Sequence, residues 1–494
     1  MDADPQSETL RFLAGLEAGA EVVSTHISRV VLGKTRAFKL KRAVAFPYLD
    51  FSTPEKRWAM CAREAALNRR LAPALYLGAK RITREKDGAL ALDGAGELVD
   101  AIVEMRRFPN DALLDRRAAE GKLDAATIET LARRIAGFHD AAEVIAAGGG
   151  AAAMRRVLRL CEESLRGAAL APRGEIDAHV ARLRAMLERG ATLLDARHAA
   201  GKTRHCHGDL ILRNICTLDG APTPFDCIEF SDEIARIDTL YDLAFLLMDL
   251  WRVGARDLAN AALNRYLDWR DETDGLPLLP FFMSLRATIR AHVAAAQGAQ
   301  AEAKAYFELA RALALDCAPA IVAVGGYSGS GKSSVAAALA PLLGAPPGAR
   351  TIGSDRLRKR MFGAEPTQRL PPEAYEGSVS AKVYANMLAE AARVAGAGWP
   401  VVVDAVFDRP ERRAEMEAAA KAQGAPFFGF WLDVDLGARL ERVAARRGDP
   451  SDATAEVLLR QAQNDPGEIA WRKIGAARPA AEAAKEIAER VKLR

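Results

Sequence analysis

Regularly spaced cysteine, long apolar runs, charge of one sign and internal repeats are all lacking in this 494-residue chain. Its six cysteines fall at irregular positions. That excludes a secreted disulfide framework and leads us to expect reduced thiols in a cytoplasmic protein. No apolar run approaches the ~20 residues a membrane span requires. The longest candidate, Leu243 to Trp251, carries Asp249 and reads as a buried helix. The opening MDADPQSETL is acidic and polar, unlike the basic-then-apolar start of a signal peptide. Lys and Arg number 69 against 65 Asp and Glu, and the two signs are interspersed. A dedicated nucleic-acid face would concentrate the basic residues, so neither nucleic acid nor membrane is expected as a partner.

What is present is ordinary globular composition, half apolar and 27% charged. At about 100–200 residues per domain, the length implies two to four domains. Residues 20–50 alternate as short strands around a turn at Gly33-Lys34. A helix is expected from Thr53 toward Leu71, with Pro54 in its first turn. ELVDAIVEMR (97–106) reads as a strand. Residues 125–200 are Ala/Arg/Leu-rich and helical around a loop at Gly148–Gly150, and helices dominate again from 238 to 315. From Pro319 the pattern changes. AIVAVGGY, RTIG (350–353), PVVVD (400–404) and FFGFWL (427–432) read as strands, each followed by helical sequence, and SSVAAALAPLLG as one helix. This alternation implies parallel βαβ units. The expected organisation is an α+β bilobal domain over 1–300, a helical linker over 301–318, and a three-layer α/β domain with a parallel sheet over 319–494.

Gly326-Tyr-Ser-Gly329-Ser330-Gly331-Lys332-Ser333 has the P-loop spacing and sits between an expected strand and an expected helix. Its glycines let backbone N–H groups close around phosphates, and the helix N-terminus adds positive potential. Lys332 reaches the β- and γ-phosphates, and the Ser333 hydroxyl ligates Mg²⁺. Asp404 ends the strand VVVD, where a carboxylate orients Mg²⁺ or caps the next turn. Asp355 follows the second strand, either as a helix N-cap or as the base that takes a proton from a substrate hydroxyl. Arg439, Arg442 and Arg446 share one helical face, with Arg447 one step around. They form a solvated face or, with the following Gly/Asp/Pro/Ser loop, a lid whose arginines stabilise a transferring phosphoryl group. The unit resembles the small-molecule P-loop kinases, the group of gluconate kinase, chloramphenicol phosphotransferase and the zeta-type toxins.

His207-Gly-Asp209-Leu-Ile-Leu-Arg-Asn214, followed by Phe225-Asp226, has the layout of a eukaryotic-like kinase catalytic centre. Asp209 would accept or orient the acceptor hydroxyl, while Asn214 and Asp226 would hold Mg²⁺. Upstream, Lys39 in AFKLK is placed to pair the α/β-phosphates, with Lys41 on the same strand face as the alternative. Glu64 is placed to hold that lysine, and VEMRRFP, with Glu104 and Met105, reads as a hinge giving backbone contacts to adenine. No GxGxxG loop precedes Lys39. A zinc cluster from His205, Cys206, His207, Cys216 and Cys227 is disfavoured, because the cysteine spacings match no structural zinc pattern. The segment resembles the aminoglycoside phosphotransferase and choline kinase-like family, to which Tyr241-Asp242-Leu-Ala adds a further match. The whole chain, including THIS, FPYLDFST and GEIAWRKI, resembles bacterial fusions of such a unit with a P-loop kinase-like unit. The resemblance implies ATP and Mg²⁺ as cofactors and a hydroxyl-bearing small molecule as acceptor at two phosphotransfer sites. The alternative is a regulatory protein with one nucleotide switch and one scaffold.

Overall fold

The computed structural model describes residues 4–491 except 18, 47–48 and 446–450. Contacts divide the chain into two compact units, 1–154 with 191–249, and 155–190 with 250–494.

The first unit is built on a six-stranded antiparallel sheet. Its strands are β1 (Glu21–Ser24), β2 (Ser28–Leu32), β3 (Arg36–Lys41), β4 (Tyr76–Arg84), β5 (Leu90–Leu92) and β6 (Glu97–Arg106), in the order β1-β2-β3-β6-β4-β5. Side chains alternate across a strand, and β3 shows the result. Phe38 and Leu40 pack on one face with Val31, Ile82 and Ile102. Ala37 faces the other way, packed with Cys61 and Ala65 of helix α1 (Pro54–Asn68), and Lys39 and Lys41 share that face by their spacing. Helix α1 begins where its sequence directs. Thr53 is extended and its side chain accepts the Lys56 N–H at 3.4 Å, with Pro54 in the first turn. Such a cap is worth ~1 kcal/mol. Helix α2 (Ala125–Ala141) and the first part of α3 (Thr239–Arg252) belong to the same unit, along with three two-stranded sheets.

The second unit holds a five-stranded, all-parallel sheet of β7 (Ala320–Gly325), β8 (Arg350–Gly353), β9 (Pro400–Asp404), β10 (Phe427–Asp433) and β11 (Arg472–Gly475). The order is β8-β9-β7-β10-β11. Val322, Val324, Val402, Phe430 and Leu432 form its core with Leu339 and Ile487 from the covering helices. Helix α5 (Lys332–Leu339) stops short of the run expected to reach Gly344 and continues as a single 3-10 turn, Ala340–Leu342. Pro341 accounts for this, since it lacks an N–H and its ring crowds the preceding turn.

Packing divides the chain elsewhere than at the expected linker. Residues 300–313 are a helix that buries Ala303, Tyr306, Phe307, Ala310 and Leu313. Helix α4 (Arg256–Trp269) covers β8, the edge strand of the parallel sheet. Asn264 Oδ1 accepts the Thr351 N–H at 2.7 Å, and Asn260 Nδ2 donates to the carbonyls of Pro347 and Ala349. The buried Arg350 pairs with Asp268 of α4 at 2.8 Å and with Glu390 of α7 (Gly377–Gly396) at 2.7 Å. An edge strand left bare would present unpaired backbone groups, and here a helix occupies it. Arg350→Ala would remove the cation that bridges Asp268 and Glu390, leaving Arg265 and Arg360 to serve them. We expect a loss of about 1–3 kcal/mol, read as earlier chemical unfolding of this unit.

Candidate active sites

In the first unit, strand β3 delivers Lys39 and helix α1 delivers Glu64 beneath it. Lys39 Nζ lies 2.8 Å from Glu64 Oε1 and also contacts Asp226 Oδ1. Asp226 sits in the left-handed backbone region, with φ of 64°. Tyr76 Oη accepts its N–H at 3.1 Å, and Asn68 Oδ1 accepts that of Cys227 at 2.8 Å, which fixes this conformation. Burial opposes ionisation of Asp226, but the Lys39 ammonium outweighs it and holds the carboxyl below its usual range. Of the two candidate lysines, Lys39 reaches Asp226, whereas Lys41 is fully enclosed between Glu64 and Glu229.

The second group of expected residues lies on the loop after His205. Asn214 Nδ2 donates to both Asp209 Oδ2, at 2.8 Å, and the Asp209 carbonyl, at 3.0 Å. His207 Nε2 faces the Phe225 carbonyl at 2.9 Å, and the Phe225 N–H donates to the Asn214 carbonyl. Asp209 and Asn214 are thereby tied to the segment that carries Asp226. A residue not assigned a task from sequence underpins the loop. Asp242, fully buried on α3, accepts the N–H groups of His207 and Gly208 and faces His139 Nε2 at 3.1 Å. His139, Cys206 and Asp242 have metal-ligand atoms close together. These contacts, with Cys206 Sγ donating to the Ile237 carbonyl, explain the cluster without an ion.

Glu104 and Met105 fall inside the end of β6, paired with β3 and β4, rather than in a connector. The Glu104 carboxylate is engaged by Arg36 at 2.7 Å.

In the second unit, Gly326, Gly329 and Gly331 all have positive φ. A Cβ at Gly326 would lie 2.7 Å from Ser330 Oγ, and one at Gly329 would lie 2.8 Å from the Arg439 carbonyl. Only glycine fits such a loop without strain. Lys332 Nζ donates to the Tyr327 carbonyl at 3.0 Å, and Ser333 Oγ to Asp404 Oδ2 at 2.7 Å. Ser330 Oγ is buried with no hydrogen-bond partner among the described residues. An orphaned hydroxyl within this glycine loop fits a phosphate oxygen, and the Ser333–Asp404 pair fits an oxygen-seeking cation. Asp355 is the second residue of α6 (Ser354–Met361). The cap position is Gly353, so the N-cap alternative for Asp355 does not hold.

Helix α8 (Leu436–Ala445) lies across the loop. Arg442 spends its guanidinium on the carbonyls of Ser330, at 3.3 Å, and Ala476, at 2.6 Å. Arg439, named in the sequence only as part of the arginine face, is the one buried against the P-loop. It stacks over the Tyr327 ring at 5.1 Å, and its Nε and Nη1 have no hydrogen-bond partner among the described residues. Arg446 and Arg447 lie outside the described residues.

The strand order and the Gly326–Ser333 loop make the second unit a P-loop domain, and the first unit gathers the Lys39, Glu64 and Asp226 set expected from the sequence. A family profile described as "AAA domain" matches residues 321–464. Over 467 residues the chain is 30% identical to an uncharacterized protein of Mycobacterium tuberculosis and to one of Mycobacterium bovis. The match spans 90% of this chain and 91% of each relative. The chain belongs to the family of these proteins. Among solved structures it is similar to a choline/ethanolamine kinase family protein from Mesorhizobium loti. That match has 14% identity and a TM-score of 0.39, covering 63% of this chain and 94% of the other. It is also similar to a gluconokinase from Sinorhizobium meliloti, at 24% identity and a TM-score of 0.26, covering 35% and 90%.

Burial, reinforced by the negative charge of Asp355, raises the Asp404 carboxyl to about 6 despite the opposing Ser333 and Lys332. A proton would then compete with a cation taken up by the same oxygens. Beyond the change caused by titration of the nucleotide's own phosphate, apparent Mg²⁺ affinity at the P-loop should fall roughly fourfold between pH 7.5 and 5.5, a part that Asp404→Asn removes. Mg²⁺ titrations of nucleotide binding in a Lys39→Ala/Asp226→Ala chain, with and without Asp404→Asn, measure this.

Proposed function

We propose that the protein is an ATP-dependent phosphotransferase acting on hydroxyl groups of small molecules, with one site in each unit. The observation that carries the reading is the meeting of Lys39 with Glu64 and Asp226, which lie 25 and 187 residues away along the chain. A lysine supported by one carboxylate and facing another is suited to binding phosphates beside a metal.

In the kinase-like site, Asp209 receives the proton of the acceptor hydroxyl. Asn214 fixes its Oδ2, so the other oxygen is the one offered to the acceptor. Lys39 exchanges Asp226 for nucleotide phosphates while Glu64 keeps it in place. Mg²⁺, held by Asn214 and Asp226, neutralises charge on the phosphates when bound. In the P-loop site, backbone N–H groups, Ser330 and Lys332 cradle phosphates, Ser333 and Asp404 hold Mg²⁺, and Asp355 serves as proton acceptor. Arg439 and Arg442 supply positive charge above the loop. Both sites act by positioning and charge neutralisation, without a covalent enzyme intermediate. ATP as donor and cysteines outside any disulfide suit the cytoplasm.

The test is incubation with γ-labelled ATP and a metabolite extract, comparing the native chain with Asp209→Ala, Lys332→Ala and the double variant. We expect label on organic acceptors, a loss of at least about 100-fold in one product class for each single variant, and no transfer in the double. Label appearing only as inorganic phosphate would overturn the reading. Loss of all transfer in Lys332→Ala, with Asp209→Ala fully active, would reduce the first unit to a scaffold.

A further inference from the structure

Two buried charged side chains beside the kinase-like site have no task in that scheme. Lys41 is wholly buried, its ammonium lodged between Glu64 Oε2 and Glu229 Oε1 and 5.4 Å from the centre of the Phe51 ring. Glu229 is itself only 4% exposed. Lys39 takes the other Glu64 oxygen, Oε1. One carboxylate is therefore shared by two ammoniums, and charges alternate along Asp226, Lys39, Glu64, Lys41 and Glu229.

The geometry points to Lys41 and Glu229 as positioning residues that hold Glu64 from behind, so that Lys39 can leave Asp226 for nucleotide phosphates without stripping Glu64 of its counter-charge. The inference rests on the phosphotransferase reading of this site. A buried ion pair alone is weak evidence of purpose, because well-packed apolar replacements often serve a fold as well. The sharing is what sets this one apart. Three carboxylates face two lysines in the chain of contacts. With Lys41 gone, Lys39 would be the one positive group of the remaining four, and they would retain it against the phosphates. With Lys41 present, Glu64 stays ionised and fixed in either position of Lys39. Burial opposes charge on Lys41 and the two carboxylates restore it, so its ammonium is held above the ordinary lysine range.

Glu229 adds a geometric link. It lies three residues beyond Asp226, in a segment whose Ile228 N–H donates to the His207 carbonyl at 2.9 Å and whose Cys227 N–H donates to Asn68 of α1. Lys41 thus ties three parts together: the phosphate-facing strand, the helix bearing Glu64 and the segment bearing the metal aspartate. In kinases where a single lysine meets a single glutamate, that pair must form and break as one. Here half of Glu64 is permanently occupied, which keeps α1 against β3 whether or not nucleotide is bound.

The test uses the full chain with Lys332→Ala to silence the P-loop, and compares Lys41→Met, Glu229→Gln and the double variant Lys41→Met/Glu229→Gln. Mg·ATP and Mg·ADP affinities are measured by calorimetry, the half-saturating Mg²⁺ concentration by titration, and the fold by thermal melting. Lys41→Met alone should melt early, since it strands buried charge. The double variant removes one positive and one negative charge, and should recover most of the melting temperature. Its nucleotide affinity should nevertheless stay about 10- to 100-fold below the parent, with the Mg²⁺ midpoint raised. Parent-like affinity and Mg²⁺ midpoint in a folded double variant would overturn the inference and make the pair merely structural. If the Lys332→Ala parent itself binds no nucleotide, the kinase reading of this unit fails, and the inference fails with it.

Discussion

A charge removed from water must be matched by another, and in the first unit that constraint acts through Glu64. The residue has no exposure to solvent, so both its oxygens need donors. The two that it finds come from alternate residues of β3, which fixes the register of that strand against α1. Those lysines in turn draw in Asp226 and Glu229 from the far end of the unit. Local sequence thereby determines a long-range arrangement through electrostatics as well as through apolar packing. The sheet supplies the surface on which this happens, with its opposite face given over to Phe38, Leu40 and their neighbours.

The proposed phosphate site of the P-loop unit is built by other means. It rests on main-chain N–H groups, which need left-handed turns and close approaches that only glycine permits. A side-chain site can be rebuilt one residue at a time. A backbone site stands or falls as a loop. The helix crossing above it, with Arg439 over Tyr327 and Arg442 on the Ser330 carbonyl, packs too closely for larger residues at Gly329.

Much of this was legible in the sequence because the motifs are local. The strand at 97–106, the start of α1 at Thr53 and all four strands expected in the P-loop unit rest on periodicity and turn chemistry, and the structure has them there. The pairing of Lys39 with Glu64 was readable from spacing and family resemblance. The meaning of Lys41 was not, because alternation puts two lysines on one face but says nothing of what approaches them. Glu229 and Asp242 were hidden for a related reason, as their importance lies in which distant backbone or side chain they meet. Arg439 could not be separated from Arg442 and Arg446 by helical spacing, since only the packing of α8 on the loop distinguishes them. The packing division of the chain was also invisible, being set by the docking of α4 on an edge strand.

Arg350 has a consequence for how this protein can be taken apart. It stands on the edge strand of the parallel sheet, and its partners come both from within the P-loop half and from α4, upstream of it. A fragment beginning at Pro319 would keep Glu390 but lose Asp268, Asn264 and the helix that covers the strand. Its first exposed surface would be a bare β-edge carrying a half-paired guanidinium, a shape prone to pair with a second copy of itself. The unit that holds the P-loop therefore takes in α4 and also residues 155–190, both within what the sequence alone assigns to the other domain.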